Sequence, residues 1–117
     1  MVGLTISTGI AMDLPNKVTK EVVIESGDGQ SRMSWVAMTS LWGSSSSHRS
    51  DSSDPIDRIG VRAYLYSGGD VIDSGVVMNY NSRYAWKWLY GNGDFAETYH
   101  TFEEPPYYWY PHTGDSG

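Results

Sequence analysis

The sequence predicts an all-β domain, an antiparallel β-sandwich of about seven strands, with a small β-barrel as the alternative closure. Three observations predict it. Apolar residues alternate with polar ones at period two through most of the chain. Turn-forming clusters of Gly, Asn, Asp and Ser punctuate these runs at the spacing expected of sandwiches. Helical periodicity is nearly absent.

The elements follow in order. Leu4, Ile6, Thr8 and Ile10 alternate with Thr5, Ser7 and Gly9, which reads as a first strand. Asp13-Leu14-Pro15-Asn16 ends it, since proline removes a ladder donor and asparagine favours turns. Residues 18–26 are rich in Val, Ile and Thr and read as a second strand, closed by the turn signal Ser26-Gly27-Asp28-Gly29-Gln30. A third strand spans 32–42, with Met33, Trp35, Ala37 and Thr39 on one face and Val36, Met38 and Ser40 on the other. Residues 43–55 are Ser-rich and polar, and read as a long crossover loop that contributes nothing to a core.

Patterning is clearest in the second half. Ile59, Val61, Ala63 and Leu65 alternate with Gly60, Arg62, Tyr64 and Tyr66. Ser67-Gly68-Gly69-Asp70 turns the chain into a return strand over 71–80, with Gly75 as a candidate bulge. After a turn at Asn79-Tyr80-Asn81-Ser82, Tyr84, Trp86, Trp88 and Tyr90 share one face, and Ala85, Lys87 and Leu89 the other. Gly91-Asn92-Gly93-Asp94 turns again before a last strand over 95–103. Residues 1–104 thus read as one sandwich domain and 105–117 as an aromatic, proline-containing C-terminal tail.

Composition bounds the function. The chain has no cysteine, so disulfides, thiolate metal sites and thiol nucleophiles are excluded. Its net charge of −6 and scattered basic residues oppose nucleic-acid binding, which needs clustered Lys and Arg to displace phosphate counterions. No stretch has the ~20 apolar residues of a membrane-spanning helix, so membrane insertion is not expected. Residues 1–11 lack the basic and continuous apolar regions of a signal peptide. The Gly, Ser, Tyr and Trp bias with little Lys and Glu nevertheless points to an extracellular or cell-surface setting.

No nucleophile elbow, zinc-protease helix, phosphate loop or dinucleotide fingerprint is present, so no catalytic residue and no cofactor is assigned. Glu103 and Glu104 are adjacent, point to opposite faces of a strand, and cannot act as a glycosidase pair with each other. Asp51, Asp54 and Asp57 recur every third residue and form a calcium candidate, against the plainer reading of a solvated acidic loop. His100 and His112 lack an evident third ligand for zinc.

Aromatics are the strongest compositional signal, with five Trp and nine Tyr. Trp35, Trp86 and Trp88 read first as core rings, because cross-strand ring pairs stabilise sheets. The alternative is a platform that stacks on sugars or on another protein, using Trp86, Trp88, Tyr107 and Trp109. Pro105-Pro106 should interrupt pairing and stiffen the chain. Tyr107-Tyr108-Trp109-Tyr110 cannot bury every ring beneath one sheet, so part of the run must face outward. Either it caps its own core as an edge strand or it docks on a neighbouring copy or another ligand.

The segment Ile59-Gly60-Val61-Arg62-Ala63-Tyr64-Leu65-Tyr66, with Ser67-Gly68-Gly69, Val71-Ile72-Asp73-Ser74-Gly75, Asn79-Tyr80-Asn81-Ser82 and Ala85, resembles small secreted β-sandwich proteins of Gram-positive bacteria, a largely uncharacterised group. The resemblance spans about residues 59–85 and implies an extracellular sandwich; it brings no catalytic residues. The expected function is a non-enzymatic extracellular interaction module that self-associates through its tail, working as a homo-oligomer or assembly. A carbohydrate-binding module with a glycan partner, or a small secreted toxin or antimicrobial protein, are the alternatives.

Overall fold

A computed structural model describes residues 14–51 and 54–117. The strand expected over residues 4–10 lies outside the described residues. The described strands are β1 (Lys17–Ser26), β2 (Gly29–Thr39), β3 (Ser44–Arg49), β4 (Ile56–Ser67), β5 (Asp70–Ser82), β6 (Tyr84–Trp88), β7 (Phe95–Glu104), β8 (Tyr107–Trp109) and β9 (His112–Asp115). They form two antiparallel sheets packed face to face. One has the order β1-β2-β3-β6; the other has β5-β4-β7-β8, with β9 also paired to β7. The sheets remain separate, so the fold is a sandwich and not a barrel.

The turn chemistry behaves as its residues require. Gly68 and Gly69 both adopt positive φ, 58° and 89°, which gives the two-residue β4–β5 hairpin the twist its strands need. The bulge lies at Leu65/Tyr66 against β5, not at Gly75. Gly75 pairs regularly with Ala63 and is small for another reason. The Lys87 stem of β6 lies where a Cβ on Gly75 would stand, 2.4 Å from its Cε, so glycine lets the two sheets close at this corner.

Two readings need correction. Residues 43–55 are not simply a loop, because Ser44–Arg49 is an interior strand flanked by β2 and β6. Ser45 and Ser47 are fully buried. A serine strand can line a sandwich interior only if its hydroxyls find partners there, and they do. Residues 105–117 take the edge-strand reading of the two given above, so the boundary drawn at 104 does not part them from the sandwich. Pro105 and Pro106 make the turn from β7 to β8, and β8 and β9 lie in succession along β7, in register from Glu104↔Tyr107 to Ala96↔Asp115. Proline stops pairing for only two residues.

Two apolar clusters fill the interior. The larger gathers Val22, Met33, Trp35, Ala37, Ile56, Ile59, Ala85 and Phe102, with Tyr107 and Trp109 packed against it. Trp35 stacks on Phe102 with centroids 5.3 Å apart, and Trp109 leans on Phe102 at 5.0 Å. The smaller holds Leu41, Ala63, Leu65, Leu89 and Ala96. Along β7 the inward positions run Ala96, Thr98, His100, Phe102, so a polar layer separates the clusters. Phe102→Ala should cost about 3–5 kcal/mol, because it vacates the ring between Trp35 and Trp109; urea unfolding followed by tryptophan emission measures it.

Candidate functional site

The polar layer is the densest group of chemistry-bearing side chains. Ser45, Ser47, Thr98 and Thr113 are fully buried, Thr39 is 1% exposed and His100 2%. Ser47 donates to the Gly60 carbonyl at 3.0 Å and lies 2.6 Å from His100 Nδ1. His100 Nε2 meets Thr113 Oγ1 at 2.7 Å. Thr39 Oγ1 lies 2.6 Å from both Thr98 and Thr113, and Thr98 donates to Ser45 at 2.5 Å. A neutral imidazole offers one donor and one acceptor, and rotating hydroxyls supply the complement on either side.

Burial holds His100 neutral, pushing its pKa from 6.5 down to about 3, with nearby His112 adding to the shift. A Ser–His contact this short resembles an activated nucleophile. Here it is sealed between the sheets, beyond the reach of a substrate, and the hydroxyl is committed to Gly60. The layer therefore joins strands of both sheets in a fixed register. Sequence reading missed it, because period two marks which residues face inward and says nothing of partners distant in the chain.

Two members of the calcium candidate, Asp51 and Asp54, are engaged by an arginine. Arg49 is 8% exposed; its Nε donates to Asp51 at 2.7 Å and its Nη1 to the Asp54 carbonyl at 2.5 Å. Asp51 also accepts from the Ser34 amide at 2.6 Å. Asp57 bonds Glu104, whose pKa is raised by burial and then by that neighbour. Arg49, Asp54, Asp57 and Glu104 line a groove of about 670 Å³. Among the described residues no three His, Asp or Glu side chains are grouped to hold a metal. The guanidinium already supplies the positive charge that a cation would bring.

The six predicted interaction residues part company. Tyr107 and Trp109 pack onto the large cluster, while Tyr108 and Tyr110 stay 53% and 59% exposed. Tyr110 donates to Glu103, which also accepts from Arg58 at 2.9 Å, and these bonds hold that carboxyl below its usual range. Trp86 and Trp88 face outward from β6 at 51% and 42% exposure, so of Trp35, Trp86 and Trp88 only Trp35 is a core ring. On the outer face of the five-stranded sheet, Tyr99 stacks on His112 with centroids 4.1 Å apart. Tyr66 donates to Glu97, and His112 meets the other Glu97 oxygen at 2.8 Å. Burial, and then the Glu97 contact, push the Tyr66 hydroxyl far above its ordinary pKa.

Among the described residues, the four sheet edges differ more than the faces. β1 carries Lys17, Lys20, Glu21 and Glu25. β6 has five residues, and β8 and β9 have three and four, interrupted at Pro111. Charge, brevity and proline are the usual protections of an edge. β5 has thirteen residues with no proline and no lysine, and exposes Val71, Ile72, Val76 and Tyr80. Its charges are confined to its first four residues, Asp70 and Asp73, and Asp73 accepts from the Ser74 amide at 3.0 Å and from the Tyr90 amide at 2.7 Å. Comparison with protein-family models, curated proteins and solved structures returned no match.

The His100 shift carries a pH consequence. Its folded pKa lies below the unfolded value, so its contribution to stability is complete above about pH 6.5 and is lost as pH falls toward about 3. By pH 4 the loss should reach roughly 3 kcal/mol, from about 1.36 kcal/mol per unit. Urea titrations between pH 7 and pH 4 should show this fall, and His100→Gln should flatten it.

Proposed function

We propose that this chain is a non-enzymatic extracellular interaction module that associates with copies of itself by antiparallel pairing of β5. The observation that carries the reading is the contrast between edges among the described residues: from Ser74 onward β5 is long, uncharged and free of proline, where the other edges are charged, short or broken by proline. Unpaired amides and carbonyls on such an edge are a ready template for another strand. Self-pairing centred on Val76 sets Ser74 against Met78 and Asp73 against Asn79, so no two aspartates oppose each other. The resulting contact is isologous, as a two-fold dimer requires. The extracellular part rests on composition and on the resemblance of residues 59–85 to secreted Gram-positive sandwich proteins.

This moves the contact from the tail to β5. Tyr107 and Trp109 are engaged by the chain's own core, so docking them elsewhere would cost the packing they now supply.

Light scattering across a concentration series tests the reading. The full chain should run as a dimer or larger. Val76→Pro and Val76→Lys should weaken association at least roughly tenfold, or about 1.4 kcal/mol, with little change in melting temperature. Monomers up to millimolar concentration overturn the proposal. So does association lost on Tyr108→Ser with Tyr110→Ser but untouched by the Val76 variants, which would return the contact to the tail.

A further inference from the structure

Tyr84, Trp86 and Trp88 are successive outward residues of β6, exposed by 55%, 51% and 42%. Strand geometry spaces them at ~6.7 Å. Across the ladder Tyr84 is paired with His48, Trp86 with Ser46 and Trp88 with Ser44. Each tryptophan therefore stands beside a serine and Tyr84 beside an imidazole, with Cβ atoms about 4.5–5.5 Å apart. Trp88 continues the aromatic line to Tyr90, with centroids 6.4 Å apart.

We propose that this outer strip of β6 and β3 binds a neutral polysaccharide, its sugar rings stacked on Trp86 and Trp88 and its hydroxyls bonded to Ser44, Ser46 and His48. The ligand class follows from charge and texture. None of the six side chains carries formal charge at neutral pH; partial burial and nearby Lys17 hold His48 below its ordinary pKa. Lys87, the strand's one cation, lies on the opposite face over Gly75. Rings here alternate with hydroxyls. The aliphatic neighbours on this face, Val36 and Met38 of β2, pair with His48 and Ser46 and are buried and half-buried, so no aliphatic side chain is exposed among the rings. A protein interface would need a contiguous apolar centre. A pyranose offers apolar C–H faces to the rings and hydroxyls around its rim, which suits the alternation. The strip shares no residue with β5, so it is independent of the self-association proposed above.

Native electrophoresis through gels containing hydroxyethylcellulose, xylan or mixed-linkage β-glucan tests the proposal, with polygalacturonate as the charged contrast. The full chain is run alongside Val76→Lys, which separates glycan binding from association. At least one neutral polymer should retard both proteins. Trp86→Ala and Trp88→Ala should each weaken retardation roughly tenfold or more, and Trp86→Tyr should restore part of it. The exposed positions of both rings leave the core intact, which circular dichroism verifies. Absence of retardation by all three neutral polymers overturns the proposal, as does retardation by polygalacturonate alone or retardation indifferent to both tryptophans. It is overturned equally if Val76→Lys stays dimeric and Trp86→Ala makes it monomeric, because the rings then serve a second copy.

Discussion

Satisfying the buried hydroxyls and imidazole of the central layer is the constraint on which the rest of the sandwich depends. An unpaired polar group between two sheets costs about 1–3 kcal/mol, and this layer buries six polar side chains within one contiguous network. Each must meet its partner, so β2, β3, β7 and β9 are fixed together in register. A one-residue slip of any of them would turn its hydroxyls outward and apolar groups away from the core. Apolar contacts alone would tolerate more rearrangement than this, since they are not directional.

The same requirement explains which parts of the fold were legible in the sequence. The inward set Met33, Trp35, Ala37 and Thr39 followed from alternation, because three of the four residues are apolar and mark their face unaided. Ser45 and Ser47 obey the same alternation, but serine is equally at home in a loop. Only Thr98, Gly60 and His100 make their burial affordable, and all three lie well away in the chain. The tail was obscured by Pro105, Pro106 and Pro111, which read as breaks although pairing to β7 resumes after each.

The surfaces were legible to a different degree. Trp86 and Trp88 could be placed on one face of a strand, but which face meets the core depends on the partner sheet. Ala85, fully buried next to Trp86, settles it in the structure. The exposed edge of β5 could not be read at all. Its run of Val, Ile and Met suits a central strand as well as an outer one, and strand order is a property of topology that periodicity does not encode.

Thr39 reaches Thr113 across 74 positions of sequence. The hairpins β1–β2 and β4–β5 need only short loops to close, whereas this contact must wait for a much larger excursion of the chain to be confined. Until then the interior face of β7 stands open and its histidine can take up a proton from water. Closure of the sandwich therefore carries a proton requirement: a His100 charged by acid must give up its proton to be enclosed.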